Sequence, residues 1–226
     1  MLSVIKKEFK SYFLSPIGYI FIGLFLLMFS IFFYTDVIQY GSTNFEYIFY
    51  SGATILTFIV PILTMRLFAE ERKSGTEQLI LTSPISLFKV VFGKFIAATI
   101  IVLITEICTL MYFGILCFFG MPHLSTALAT LIGFFLLAIS YISFGILASS
   151  VTENQIIAGI LTVGFFILTW FLPQFSPIFN NFSLINMFAK FPLGQIDIAD
   201  TVTFITFTIS CILLTLIVLQ RRKSVR

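Results

Sequence analysis

Six apolar stretches, each long enough to cross a lipid bilayer, constrain this chain more than any other feature. They cover the ranges 17–35, 45–65, 95–119, 125–151, 155–172 and 201–219. A transmembrane α-helix needs about 20 mostly apolar residues, and long unbroken apolarity excludes a β-barrel, whose strands alternate in polarity. Hydrophobic residues make up 59% of the chain and charged residues 10%, unlike a soluble domain. The sequence therefore predicts an all-α integral membrane protein with one membrane domain, 1–226.

The basic residues predict how the spans are oriented. Lys and Arg are retained on the cytoplasmic side of membrane proteins. With a cytoplasmic N-terminus, all of the 13 Lys and Arg residues except Lys190 fall on that side. We therefore expect both termini and the segment 66–94 in the cytoplasm and 173–199 outside, in a multi-pass protein of the cell (inner or plasma) membrane. The net charge of +3 follows from this sorting and does not indicate nucleic-acid binding.

The first residues predict a helix that lies in the membrane interface. Within 2–14, apolar residues recur at helical spacing with lysines among them, and Pro16 follows as a break before the first span. The alternative is a basic leader that only sets topology.

The polar segment 66–94 separates the second span from the third. It begins as a continuation of the second helix, in which Arg66 and Glu70 are spaced for a weak ion pair on one face. Its far end is predicted to run as an interfacial helix into the third span, with Lys89 and Lys94 near the lipid head groups.

Helix-breaking residues divide the middle of this segment. Gly75 is placed to end the first helix, Thr76 to cap a second one, and Pro84 to end the second or open the next. The sequence therefore predicts a short helix beneath the membrane, nearly free to rotate about two breaks. The alternative is an ordinary charged loop that satisfies topology.

The segment also carries a resemblance to a known family. The resemblance rests on Arg66–Leu79, Thr82–Ser86 and Gly93-Lys94, with support from Thr152–Ala158, Gly194, Asp197, Asp200 and Arg221-Arg222. These residues resemble the signature of type-2 ABC transporter permeases, closest to the branch of the gliding-motility permeases and the permease of nitrous-oxide-reductase maturation. The resemblance covers essentially the whole chain. Gln78 departs from it, since the family more often has a hydrophobic or charged residue there.

The resemblance implies a permease subunit that pairs with a second copy, or with a related permease, and works with a separate cytoplasmic ABC ATPase. In this family, the loop between helices two and three bears a coupling helix that rests in a cleft of the nucleotide-binding subunit, and 2–14 would match the interfacial connecting helix. By motif position, the ATPase-coupling residues would be Glu71, Arg72, Gly75, Thr76, Glu77, Leu79, Thr82 and Pro84.

The chain lacks the sequence of a nucleotide-binding site. A P-loop needs G-x-x-x-x-G-K-[ST], and the nearest match, Gly93-Lys94-Phe95, lacks the earlier glycine and the hydroxyl. We therefore expect a transport subunit and not an enzyme, with no cofactor of its own and with ATP and Mg on the partner subunit. The 3 cysteines and the single histidine, His123, do not form a metal-binding pattern.

Glu106 is an ionisable residue inside the third span. At a rise of 1.5 Å per residue it lies about 18 Å from the inner surface, where an ionised carboxylate costs about 2.5–3.5 kcal/mol. We expect it to be protonated or hydrogen-bonded to a hydroxyl such as that of Tyr141, Ser140 or Ser143. A place on the translocation path or dimer seam and a purely structural role are equally compatible with the sequence.

Two other functions remain open from the sequence. An ion-coupled secondary transporter normally needs several buried ionisable residues or broken helices near the midplane, and Glu106 alone is thin support for one. A non-transporting membrane anchor would use the same polar segment to recruit an ATPase. The 30 phenylalanines mildly favour a lipidic or amphiphilic cargo moved outward, which makes an exporter the first choice.

Overall fold

The computed structural model describes residues 1–41, 45–82, 85–119, 123–175 and 183–224, and most of these residues are helical. The helices are α1 (Leu2–Leu14), α2 (Pro16–Phe33), α3 (Phe45–Thr64), α4 (Arg66–Lys73), α5 (Glu77–Thr82), α6 (Leu87–Phe119), α7 (Leu124–Val151), α8 (Gln155–Phe175), α9 (Leu184–Phe188) and α10 (Ile198–Ser224). A π-helical segment, Tyr34–Gln39, extends α2, and a 3-10 turn, Phe191–Leu193, follows α9.

Six helical segments among the described residues are long and apolar enough to cross a membrane, which confirms the predicted fold class. They are Pro16–Gln39, Glu46–Lys73, Leu87–Phe118, Leu124–Val151, Gln155–Gln174 and Ile198–Ser224. Several of them extend beyond the predicted apolar ranges, because polar residues next to a span continue its helix into the head-group region. The orientation of the two termini stays a prediction.

Helix α7 lies at the centre of the bundle. It packs against α3, α6, α8 and α10, and also contacts α4 and α9. Helix α2 covers one side through a stripe of phenylalanines at a spacing of four residues, Phe21, Phe25, Phe29 and Phe33, all of which are buried. Because lipid tails are as apolar as these side chains, the stability of such a bundle comes from close packing between helices rather than from leaving water.

The segment 173–199 contributes to the core more than a surface connection would. Helix α8 continues through Pro173 to Phe175, and α9 with the following 3-10 turn packs on α7 and α3. Phe188 and Phe191 of this region are fully buried. Residues 176–182 lie outside the described residues. Short helices are therefore present in the segment that the distribution of basic residues predicts to lie outside the membrane, and the side on which they lie stays a prediction.

Candidate functional site

Charged side chains from several elements meet at one end of the bundle, which we call the basic end after its lysine and arginine residues. It is formed by four cations, Arg66, Arg72, Lys94 and Arg222, and by four carboxylates, Glu8, Glu71, Glu77 and Glu153. The segments that supply them are α1, α4, α5, α6, α10 and the turn between α7 and α8. The polar segment between the second and third spans is thus built into the bundle by side-chain contacts.

Lys94 is the buried centre of the basic end. Its Nζ donates to Glu71 Oε1 at 2.7 Å, to the Leu67 carbonyl at 2.8 Å and to Glu8 Oε1 at 3.1 Å. All three ammonium donors are therefore used, in a side chain that is only 1% exposed. Lys94 is buried among the helices, because two carboxylates and a carbonyl of α1 and α4 converge on it, and its depth relative to the lipid head groups stays a prediction. Lys94 joins α1, α4 and α6.

The residue before Lys94 explains how α1 reaches it. A Cβ atom at Gly93 would lie 2.9 Å from Cγ1 of Val4, which is closer than real Cβ contacts come. Glycine thus lets α1 approach the backbone of α6, and the next residue, Lys94, binds Glu8 of the same helix. The pair Gly93-Lys94, one of the motifs behind the family resemblance, therefore works here as a docking point for α1.

Arg66 and Tyr12 provide a second attachment of α1. The Arg66 guanidinium donates to Ser15 Oγ at 3.0 Å and lies over the Tyr12 ring, 4.9 Å from its centroid. The Tyr12 hydroxyl donates to the Leu63 carbonyl at 3.0 Å, and burial raises the pKa of Tyr12 above its usual value. The predicted ion pair between Arg66 and Glu70 does not form, because Arg66 is directed toward α1. Helix α1 is thus held firmly against the start of α4; its place in the membrane interface stays a prediction.

Ser149 of α7 holds the junction at which α3 passes into α4. Its hydroxyl donates to the Met65 carbonyl at 2.8 Å and accepts from the backbone amides of Phe68 and Ala69 at 3.0 and 3.1 Å. These are backbone groups that a break between two helices leaves unsatisfied. One hydroxyl of the central helix therefore satisfies both sides of the break.

Two arginines converge on a single backbone carbonyl at the end of α7. Arg72 donates to the Val151 carbonyl at 3.1 Å and pairs with Glu153 at 2.7 Å. Arg222 donates to the same carbonyl at 3.2 Å and binds Glu77 Oε1 at 3.0 Å. The helix C-terminus attracts these cations because its last carbonyls carry partial negative charge. The turn between α7 and α8 is thereby linked to α4, α5 and α10.

The short predicted helix is present as α5, but it is anchored rather than free. Gly75 follows the end of α4 with φ of +75°, as expected for a residue that ends a helix. Thr76 donates its hydroxyl to the Glu71 carbonyl at 3.2 Å. Glu77, the first residue of α5, is buried and bound to Arg222. The prediction of nearly free rotation is therefore wrong, because an ion pair from the last helix fixes the start of α5.

Beyond Glu77, the described side chains of α5 are exposed. Leu79 is 71% exposed, and the Thr82 hydroxyl donates to the Gln78 carbonyl within the helix at 2.8 Å. Pro84, another predicted coupling residue, lies outside the described residues. The other seven residues assigned by resemblance thus divide into an inner group bound to other helices and an exposed one that contains Leu79.

A cleft of about 380 Å³ opens between α1, α4 and α5. It is lined by Lys7, Glu8, Ser11, Arg66, Leu67, Glu70, Glu71, Ser74, Thr76, Leu79 and Lys94. Within the described part of the chain, Glu71 Oε2 is buried without a hydrogen-bond partner, although Oε1 of the same carboxylate binds Lys94. The cleft carries both signs of charge and adjoins the exposed end of α5.

Glu106 lies away from the basic end, in a groove between α6 and α7. The three hydroxyls predicted as its partners are bonded elsewhere: Tyr141 to Thr57, Ser140 to Thr208, and Ser143 to the Ser140 carbonyl. Of the two predicted states of Glu106, the hydrogen bond to one of these hydroxyls is therefore wrong, since Ser140 is directed to α10 and Tyr141 to α3, and the protonated carboxyl stays a prediction. Glu106 is buried, and its carboxyl has no hydrogen-bond donor among the described residues.

The opposite end of the bundle has a simpler charge arrangement. Lys190 pairs with Asp200 at 2.8 Å and lies 3.8 Å from Asp197, all within the region that leads into α10. The hydrogen bond to Asp200 raises the pKa of Lys190. This cluster is local in sequence and its lysine is 45% exposed.

Comparison with protein families assigns most of the chain to one profile. The profile of the family described as "ABC-2 family transporter protein" matches residues 34–219. The match includes α3 to α9 and most of α10, and thus Arg72, Lys94 and Glu153 of the basic end, whereas Glu8 and Arg222 lie outside it. No curated protein matches the chain.

Proposed function

The chain belongs to the ABC-2 family of transporter proteins, and we propose that it is the permease subunit of an exporter powered by a separate ATPase. An ABC-2 permease is a multi-pass transport subunit, in keeping with the six apolar helices among the described residues. ATP and Mg would be bound by the partner subunit, with no cofactor in this chain.

The observation that carries the proposal is the two-sided character of α5. Its first residue, Glu77, is bound to the bundle through Arg222, whereas Leu79, two residues later, is presented to solvent. An exposed apolar side chain on a short helix suits insertion into an apolar cleft of a partner, as a helix-in-groove contact does. In the type-2 permeases that this chain resembles, the helix at this position is the one that contacts the ATPase.

The basic end would transmit motion of α5 to the spans by three connections. Glu77 binds Arg222 of α10, Arg72 of α4 binds the turn between α7 and α8, and Glu71 of α4 binds Lys94 of α6. Because α4 and α5 are joined through the turn at Gly75, a displacement of α5 also moves the last two connections. We infer that nucleotide-driven movement of the ATPase repositions α6, α8 and α10 in this way.

The finer features of the proposal follow from the resemblance. A complete translocation path would require a second permease copy or a related permease. The motifs of the polar segment resemble those of the gliding-motility and nitrous-oxide-reductase-maturation permeases, which suggests this branch of the family. A bacterial inner membrane is the expected location. The predicted cytoplasmic position of the basic end would bring α5 within reach of the ATPase.

The test is to replace Leu79 by aspartate and to purify the chain from membranes by an affinity tag. We expect ATPase activity that copurifies with the chain to fall more than about tenfold, as for the loss of a buried apolar anchor at an interface. Gln78→Asp is the matched control, since it places the same charge on the same helix and keeps the leucine. Equal copurification in both variants would contradict the assignment of α5.

A membrane anchor that recruits an ATPase without transport is the second candidate, since it would use the same helix. ATP hydrolysis in vesicles separates the two. If the chain is a permease, its cargo stimulates ATP hydrolysis by the unmodified protein, and Arg222→Gln abolishes that stimulation. If the chain is an anchor, cargo stimulates hydrolysis in neither the unmodified protein nor Arg222→Gln.

A further inference from the structure

The groove between α6 and α7 combines one carboxyl group with walls that are otherwise hydrocarbon. It has a volume of about 350 Å³ and is lined by Leu103, Glu106, Ile107, Leu110, Leu131, Ile132, Phe135 and Leu136. Ile107 and Ile132 stand at least half exposed on its rim, so the groove opens on the outside of the bundle. Small-molecule sites are typically of about 300–1,000 Å³, mostly apolar, and fitted with a few polar groups that set orientation.

The depth of the groove decides how a ligand reaches it. Helix α6 rises about 18 Å between Lys94 and Glu106 at 1.5 Å per residue, which is more than half of a hydrocarbon core about 30 Å thick. The rim is apolar, so the groove faces lipid tails rather than water. A ligand must therefore dissolve in the membrane before it binds.

The carboxyl of Glu106 defines the polar part of the ligand. No described side chain donates a hydrogen bond to it, and the hydroxyls of Ser140 and Ser143 on α7 are bonded to other groups. Burying a polar group in an apolar site without a partner is unfavourable. A ligand that brings a hydrogen-bond donor or a cation removes this cost, whereas a carboxylate or phosphate would add a like charge.

We propose that this groove is a binding site for a small hydrophobic amine that enters from the lipid phase. The amine crosses the tails in its neutral form and accepts the proton of the Glu106 carboxyl. The ammonium then donates to the carboxylate, and the pair carries no net charge into the hydrocarbon. The aliphatic body lies between the leucine and isoleucine side chains of α6 and α7. That such an amine is cargo rests on the function proposed above; the binding itself does not.

The probe for the test is a photoreactive derivative of decylamine, added to the full chain in phosphatidylcholine vesicles. Mass spectrometry of the cross-linked peptides is expected to find the label on both Leu103–Leu110 and Leu131–Leu136. Unlabelled decylamine is expected to compete, decanol to compete weakly, and decanoate not to compete. Equal competition by decanoate and decylamine would mean partitioning into the bilayer and would overturn the proposal.

Two variants test the groove itself. Glu106→Gln keeps the shape but loses the acid, and should lower saturable labelling at least about tenfold, as for loss of a hydrogen bond to a charged group. Ile132→Trp leaves the carboxyl in place and fills the rim, and should lower labelling to a similar extent. Its matched control is Ile160→Trp on α8, because Ile160 is 65% exposed and Ile132 50% exposed, and only the latter lines the groove. Unchanged labelling in Ile132→Trp would overturn the site.

A second copy of the chain is the competing occupant. If it covered the groove, Ile132→Trp would shift the oligomeric state in native mass spectrometry while Ile160→Trp would not, and the proposal would fall. The labelling experiments on the groove and the copurification experiment on α5 can fail independently of each other. Loss of ATPase copurification in Leu79→Asp leaves decylamine labelling intact, and Glu106→Gln leaves copurification intact.

Discussion

The basic end and the Glu106 groove both contain buried carboxyl groups, but only those of the basic end are paired with cations. At the basic end, Glu8, Glu71 and Glu77 each meet a cation at 3.1 Å or less. In the groove, Glu106 has hydrocarbon on every lining side chain around it. A buried carboxylate with a cation fastens helices together, whereas one without a partner is available to a ligand. Glu8, Glu71 and Glu77 therefore have a structural role, whereas Glu106 is suited to binding a ligand.

The largest effect is expected from breaking the centre of the basic end. Lys94→Met keeps the length of the side chain and removes the buried cation shared by Glu8, which is buried, and Glu71, which is partly buried. Removing one partner of a buried ion pair costs about 3–5 kcal/mol, and a fall in Tm of the detergent-solubilised protein measures it. Adding Glu8→Gln and Glu71→Gln to Lys94→Met should recover much of the loss. No recovery would mean that packing, and not charge, stabilises this region.

A smaller effect is expected where α10 holds the start of α5. Arg222→Gln removes the cation from buried Glu77 and should lower stability by about 1–3 kcal/mol. It should also uncouple cargo transport from ATP hydrolysis, measured together in vesicles. Arg221→Gln is the matched control, because Arg221 is exposed beside it. Equal uncoupling by both would assign the effect to net charge at the end of α10.

At the junction between α3 and α4, the basic end is also held by an uncharged contact, the hydroxyl of Ser149, and its removal can be tested. Ser149→Ala leaves the Met65 carbonyl and the amides of Phe68 and Ala69 without their hydroxyl, at a cost of about 1–3 kcal/mol. Ser150→Ala should cost less, since the Ser150 hydroxyl donates to Leu147 within its own helix. Thermal unfolding of both variants checks the order. The reverse order would rule out Ser149 as the residue that holds the junction.

The smallest effect is expected at the opposite end of the bundle. Lys190→Met removes the same charge as Lys94→Met, but Lys190 is 45% exposed and its partners are close in sequence, although the side chain of Asp200 is only 10% exposed. Exposed ion pairs contribute about 0.2–1 kcal/mol, so Tm should hardly change. A loss equal to that of Lys94→Met would remove the distinction between the two ends.

Much of the fold could be predicted because each span contains its own signal. A stretch of apolar residues in a bilayer becomes a helix whatever its neighbours do, since every backbone group must be satisfied within the segment. Helix stops are equally local, and Gly75 was predicted to end α4 from its residue type alone. The contacts of the basic end are harder to predict from the sequence, because they join residues that are far apart in the chain. Lys89 and Lys94 lie in one polar segment and received the same prediction, but Lys89 is exposed and Lys94 is buried.

The sequence by itself determined that this chain folds in a bilayer, how many times it crosses and where its polar segment is broken, because those properties depend on residues close together in the chain. Only the tertiary structure decided which charges meet. Glu77 and Arg222 are 145 residues apart, and Lys94 and Glu8 are 86 apart. Their contacts depend on how closely helices approach, as at Gly93, and hydropathy does not encode that distance. The same packing left the Glu106 carboxyl without a hydrogen-bond partner among the described residues.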